Sequence, residues 1–347
     1  MAGATLKDIA AATGLSVSTV SRALAGSSAI STATNKRVRE AATKLKYRPN
    51  SQARALKGSK TDTIGLITPG VGNPYFSVLA SAIEEKAAQF GLSLIMANSN
   101  DNTEQLIRSL EIMENQRIDG LIVVPHIGSG ERIAALQRSG TPVVAVDRQL
   151  ALPDSEESFK NAIPFVDSDP TPGITAAVEL LVRVTDEIGY LAGPQDTSTG
   201  VLRKRAFLSA CSKHNVTPVL YQGGYAEKEG FDGARSLVER GVRAVIAGDS
   251  MMTLGALRFC HHSRLRLGHD IALVGFDDFP VFELQEVPMT IIDQDVCRMG
   301  RTAFKTLQNL IASSCNSSAN NNSLNTLQGT SLPTRLIVRD STTLERR

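Results

Sequence analysis

The sequence predicts a small all-α head followed by an α/β core of two doubly wound parallel sheets. Three observations predict it. The first 60 residues are basic and carry helical periodicity, the remainder alternates strands with helices, and the strands are too many for one sheet. The head holds eleven basic and two acidic residues, a net of +9. The other 287 residues hold 26 basic and 33 acidic, a net of −7, so the formal +2 of the whole chain hides a strong asymmetry. A basic head on an acidic body points to a polyanionic partner for the head alone.

In the head, Thr5 is placed to cap a first helix with apolar positions Leu6, Ile9 and Ala10, which Gly14 ends. Ser16 is placed to cap a second helix whose inward face is Val20 and Leu24. A third helix is expected over Ala33 to Lys46. Ala10, Gly14 and Val20 have helix-turn-helix spacing: a small residue for close approach, a glycine for the turn, an apolar lock on the second helix. Val17, Ser18, Ser21 and Arg22 share the opposite face. Arg22 suits bidentate contact with guanine, Ser18 a base edge and Val17 a thymine methyl. Thr19, Ser21 and the capped helix starts at Thr5 and Ser16 suit phosphates. A purely structural helical hairpin fits the pattern but not the basic excess.

From Thr63 the strands fall at 63–68, 93–97, 120–124, 142–146, 163–166, 187–191, 218–222, 243–247, 271–276 and 289–292. Helical stretches between most of them imply βαβ units. The Ser/Asn-rich stretch 313–331 reads as a loop, and one more strand is expected over 332–339. Ligands of doubly wound sheets gather beyond the carboxyl ends of the strands. There the sequence places Asn73, Tyr75 and Phe76, then Asn98-Ser99-Asn100-Asp101, then Asp147 and Arg148, then Gly193 with Arg203 early in the next helix. Tyr225, Asp249, Asp277 and Gln294 follow strands of the second half. Taken singly, such a residue is as well explained as a helix cap or core aromatic. The recurrence at one edge is what points to a ligand, since carboxylates accept from sugar hydroxyls, arginines donate to them, and aromatic faces pack on sugar C–H surfaces.

The run Thr5-Leu6-Lys7-Asp8-Ile9-Ala10 with Gly14-Leu15-Ser16-Val17-Ser18-Thr19-Val20-Ser21-Arg22-Ala23-Leu24 resembles the signature of the lactose/galactose repressor family. Tyr47-Arg48-Pro49-Asn50 with Ala53-Arg54-Ala55-Leu56-Lys57 resembles that family's hinge helix, and the likeness extends to Leu332–Arg339. The resemblance implies a homodimer on operator DNA, with Tyr47, Asn50, Ala53 and Lys57 at the DNA and Leu56 as a minor-groove wedge. It implies domains at 1–48 (head) and 49–60 (hinge helix and linker). The N-terminal core subdomain is expected at 61–161 plus 292–325, and the C-terminal one at 162–291 plus 326–340. The core also resembles periplasmic ribose-type binding proteins, and by that resemblance Asn73, Tyr75, Phe76, Asp147, Arg148, Arg203, Tyr225, Asp249, Asp277 and Gln294 match their sugar contacts. Asp249 departs from an asparagine there, and Ala206 from the family's usual glycine. Ribose or a ribonucleoside is the favoured effector; another sugar, or a purine acting as corepressor, stays open.

Other classes fare worse. The sequence contains no GxSxG, P-loop, HExxH or GxGxxG. Cys211, Cys260, Cys297 and Cys315 form no CxxC pair, so neither disulfide nor zinc is expected, and no cofactor is implied. No apolar run nears the ~18 residues of a membrane span. The first residues carry no apolar signal segment, so a cytoplasmic location is expected.

Overall fold

The computed structural model describes residues 4–24, 26–47, 60–152, 154, 163–315 and 329–344. The chain divides into two compact units, one through Thr61 and one from Asp62 onward.

The first unit contains α1 (Leu6–Thr13), α2 (Val17–Leu24) and α3 (Thr32–Lys44). They close on Ile9, Ala10, Val20, Ala23 and Val38. The inward face of α2 differs from expectation: Ala23 is fully buried and Leu24 only partly. Positions i+3 and i+4 flank Val20 on the same face, and Leu24 also packs against this cluster while keeping part of its side chain in solvent. Gly14 ends α1 in the left-handed conformation, φ +63°, where its amide bonds Ala10 O. Glycine adopts that geometry without strain. At the start of α1, Thr5 Oγ1 accepts from the Asp8 amide (3.4 Å) while the Asp8 carboxylate accepts the Thr5 amide at 2.7 Å. Loss of an N-cap costs about 1 kcal/mol. Thr5→Ala is therefore expected to raise hydrogen-exchange rates across α1 about fivefold; unchanged rates would show that the cap contributes nothing.

The second unit carries two six-stranded sheets. The first is formed by β1 (Thr63–Thr68), β2 (Ser93–Asn98), β3 (Gly120–Val123), β4 (Val143–Val146), β5 (Phe165–Asp169) and, late in the chain, β11 (Thr330–Pro333). The second is formed by β6 (Glu187–Ala192), β7 (Thr217–Gln222), β8 (Ala244–Ala247), β9 (Ala272–Phe276), β10 (Thr290–Asp293) and β12 (Arg335–Ile337). Their orders are β11-β5-β4-β3-β1-β2 and β12-β10-β9-β8-β6-β7. All pairings are parallel except β12 with β10. The intervening helices are α4 (Pro74–Gln89), α5 (Thr103–Asn115), α6 (Gly130–Arg138), α7 (Thr171–Leu181), α8 (Ser198–His214), α9 (Glu227–Glu239), α10 (Ser250–His262), the short α11 (Pro280–Glu283) and α12 (Val296–Cys315).

The chain crosses between the lobes three times, and each crossing moves an expected boundary. Residues 165–169, expected in the C-terminal subdomain, pair with β4 in the first sheet. β10 stays in the second sheet through Asp293, past the expected crossing at 292. β11, also expected in the C-terminal subdomain, pairs with β5. The single strand expected over 332–339 is broken at Thr334. Its amide and hydroxyl both donate to Asp169 O, and its hydroxyl accepts from Gly173 N, which holds the chain at the crossing. Local pattern announces a strand but not its partner, and partners here lie as far as 165 residues away. The Ser/Asn-rich stretch closes α12 at one end and opens β11 at the other; residues 316–328 between them, like the hinge residues 49–59, lie outside the described residues.

A DNA-reading head and an interlobe cavity as candidate functional sites

On the head, Val17, Ser18 and Arg22 are exposed on one face of α2, with Thr19 and Ser21 half-buried beside them. Val17 is 41% exposed, an apolar side chain left in water at the start of a helix. Ser16 Oγ accepts from the Thr19 amide at 3.1 Å and lies 2.9 Å from the Ser18 hydroxyl. The two helix starts differ as anion sites. At α1 the Asp8 carboxylate already takes the Thr5 amide and hydroxyl, and the Thr5 backbone amide holds its pKa below the usual range. The first turn of α2 carries no acid. The positive end of α2, at Ser16, is thus the better place for a phosphate, and Thr5 serves α1 first. Tyr47 packs against the head's core. Asn50, Ala53, Leu56 and Lys57 lie outside the described residues.

In the core, all ten residues matched to sugar contacts line one cavity of about 300 Å3 between the lobes. Asp147 follows β4 and Asp277 follows β9, strands at equivalent positions in the two sheets. Both adopt left-handed backbone, φ +65° and +63°. That conformation is sparsely populated for residues with a Cβ, Asp and Asn tolerating it best. Asp147 Oδ1 accepts from the Tyr75 hydroxyl at 2.8 Å. Asn73 caps α4 through the Tyr75 amide, and Asp249 caps α10 through the Met252 amide, so each has a structural duty besides facing the cavity. Gly193 gives the Tyr225 ring its place: a Cβ there would stand 2.2 Å from the ring.

Arg203 ties the C-terminal lobe together. Nη1 donates to Gly248 O (2.8 Å), Nη2 to Gln294 Oε1 (3.3 Å), and the guanidinium lies 4.3 Å from the Phe276 ring centre. Gln294, at the second crossing, also accepts from Ser168 (2.7 Å) and donates to Asp277 (2.6 Å). Arg148 rises from the other lobe, where Nη1 donates to Asp101 at 2.8 Å and to His126 Nδ1 at 3.1 Å. Its Nε is buried with no hydrogen-bond partner. Its guanidinium faces Tyr225 of the opposite lobe at 5.9 Å. The lobes also touch directly, Ser250 Oγ to Asn73 at 3.4 Å and Gln149 N to Ser198 Oγ at 3.0 Å.

Burial sets the charges. Loss of solvent raises Asp277 to about 7 and Asp249 to about 6, although Arg203 pulls both downward. Burial opposes the charge on Arg203, yet Tyr225, Asp147 and Asp277 outweigh it and raise its pKa. The two raised carboxyls hold protons in the folded chain that the unfolded chain has lost. Their contribution to stability is fully present below about pH 4 and is lost as pH rises through 6 and 7. The ligand-free protein is therefore expected to melt lower at pH 8 than at pH 5, with part of that slope removed in Asp277→Asn. An identical pH slope in the variant would contradict the assignment.

Asp101 and His126 were missed as site residues. Asp101 follows β2 in the polar run Asn98-Ser99-Asn100-Asp101, outside the positions that match ribose-type sugar contacts. His126 lies just beyond β3, where the rule of strand ends applies equally. His261 and His262 are exposed on α10. Among the described residues no group of three or more His, Cys, Asp or Glu is placed to hold a metal, and no helix is long and apolar enough to cross a membrane.

Residues 5–50 match the profile of bacterial regulatory proteins of the lacI family, and residues 177–342 match a periplasmic-binding-protein-like domain. A similar protein, the HTH-type transcriptional repressor PurR of Edwardsiella ictaluri, is 30% identical over 316 residues, which span 89% of this chain and 91% of that one. The chain belongs to the lacI family. The ribose operon repressor of Escherichia coli K12 is 29% identical over 313 residues, 88% of this chain and 92% of that protein. The solved lac repressor dimer, bound to operator and an anti-inducer, is 25% identical with a TM-score of 0.80, covering 98% of this chain and 99% of that one. The two sheets with their crossings are thus the lacI-family core, the helix-turn-helix is its DNA-binding head, and the protein is a transcriptional regulator rather than an enzyme.

Proposed function

We propose that this lacI-family protein is a repressor that binds a pseudo-palindromic operator as a homodimer, and that ribose or a ribose-bearing compound in the interlobe cavity controls it. One observation carries the effector reading. Arg148 and Asp147 from one lobe face Arg203, Asp277 and Gln294 from the other across a cavity of about 300 Å3. Paired carboxylates and guanidiniums at that spacing suit a small ligand rich in hydroxyls, and the volume lies at the lower end for small-molecule sites. A ligand held by both lobes favours one lobe arrangement, and it changes operator affinity only by its differential affinity for the two states. The ribose operon repressor's likeness over nearly the whole chain supports the same class of effector.

Thermal melts of the full chain with pentoses, hexoses, nucleosides and purine bases test the reading. A compound at a hundredfold its Kd stabilises by about 2.7 kcal/mol. Stabilisation by ribose or a riboside supports the proposal; stabilisation by a purine base alone would replace it. On DNA, two symmetric recognition helices require half-sites spaced by roughly 10 bp or a multiple of it. A footprint of one asymmetric half-site would contradict the dimer.

A further inference from the structure

A second cavity, of about 340 Å3, lies in the cleft beyond Arg148, which lines both. Its walls differ in character from those of the first. Pro125, Ile127, Leu150 and Ala151 make it largely apolar on the N-terminal lobe, while Asp196 and Ser198 give a polar edge on the other. Ile127 is 56% exposed, an apolar side chain facing solvent without a covering neighbour.

The His126 ring, on the boundary of this space, has a single consistent hydrogen-bond pattern. The Ser99 hydroxyl donates to Thr68 O at 3.1 Å, so Ser99 Oγ accepts from His126 Nε2–H at 2.6 Å. Nδ1 is then the lone pair that receives Arg148 Nη1. Both ring nitrogens are engaged, so the ring has no free polar atom for a ligand. Burial and the neighbouring Arg148 keep it neutral, with its pKa lowered to about 4. The same chain of bonds fixes Arg148 through Nη1, while its buried Nε makes no hydrogen bond and lies 3.8 Å from Asp147 Oδ2. A buried guanidinium donor without an acceptor is costly, and a ligand oxygen at that point removes the cost.

We propose that the effector is a ribonucleoside: its ribose occupies the first cavity, its base the second, and Arg148 Nε donates to an oxygen at their junction. The inference rests on the sugar reading of the first cavity and adds the aglycone. A nucleobase is flat and apolar on its faces, matching His126, Ile127 and Ala151. Its edge carries N–H donors and carbonyl acceptors, matching the Asp196 carboxylate and the Ser198 hydroxyl. Free ribose would leave the second cavity to water.

Calorimetric titration of the full chain with D-ribose, uridine and inosine tests this. The wild type is expected to bind at least one of the two nucleosides tenfold or more tightly than ribose. Ala151→Phe, which fills the second cavity, is expected to lower nucleoside affinity at least tenfold and leave ribose affinity unchanged. Ile127→Ser alters an exposed side chain and keeps the fold; it is expected to lower nucleoside affinity severalfold with the same indifference to ribose. Nucleosides binding no tighter than ribose, or wild-type nucleoside affinity in both variants, would overturn the second subsite while leaving the sugar site standing. Failure of ribose and both nucleosides to bind the wild type would overturn the sugar reading itself, and the subsite with it.

Discussion

Replacing Arg148 with alanine is expected to weaken effector binding by about thirtyfold or more and to leave effector-free operator affinity at the wild-type level. Two arguments set the size. Arg148 is 4% exposed and supplies charged donors to the cavity from the N-terminal lobe. Truncating one partner of a buried, hydrogen-bonded charged contact costs about 2–5 kcal/mol, and about 1.4 kcal/mol is a factor of ten. The fold survives because the groups Arg148 abandons are not left stranded. Asp101 has a side chain 55% exposed and rehydrates, His126 keeps its bond to Ser99, and the buried Asp147, 3.8 Å from Arg148 Nε, keeps the Tyr75 hydroxyl. Arg203 would make a poorer test: its loss would leave the buried Asp277 and Asp249 without their cation, and folding and binding would fail together. Ligand titration and operator titration of the same variant separate the two effects. An Arg148→Ala protein that keeps the full effector response would show that the cavity is not the effector site.

Arg22→Ala is expected to cost about 1–3 kcal/mol in operator binding for each half-site and to relax the preference at one base pair in each. Arg22 is exposed on the α2 face that also carries Val17 and Ser18, opposite the buried Val20 and Ala23. A bidentate contact to a guanine edge accounts for both effects, whereas a phosphate contact weakens every sequence alike. Lys36, exposed on α3, provides the comparison: Lys36→Ala is expected to lower affinity uniformly and to flatten the salt dependence. Binding to a library of operator variants distinguishes the two. An unchanged base preference in Arg22→Ala would make Arg22 a phosphate contact.

The sequence carried the local half of this architecture well. Thr5, Gly14 and Ser16 mark the ends of α1 and the start of α2 because capping is a matter of a few adjacent residues. The ten cavity residues were legible because doubly wound sheets put their strand ends at one edge, and the resemblance to ribose-type binding proteins picked these positions among them. Pairing over long range was not legible. Nothing within Phe165–Asp169 or Thr330–Pro333 says which sheet they join, and both belong to the lobe opposite to the one expected. Gln149 shows the same limit at a single residue. It continues the Asp147-Arg148 run that matches the ribose-type proteins, but nothing near it in sequence names its partners: its amide bonds Ser198 across the cleft and its side chain bonds the buried Asp167. Asp8 marks another such limit: its capping role at α1 changes which helix start best receives a phosphate, a matter of geometry that spacing alone leaves undecided.

The central claim is that occupancy of the interlobe cavity sets DNA affinity. Its most direct measurement is the Kd of the full chain for an operator that the protein itself selects from random duplexes, taken with and without saturating ribose or ribonucleoside. Binding of ligand and operator is reciprocal, so a coupling of 1–3 kcal/mol appears as a 5- to 150-fold change in operator Kd. The account predicts that change in the wild type and its loss in Arg148→Ala. A ligand that saturates the cavity by calorimetry yet leaves the operator Kd unchanged would contradict it.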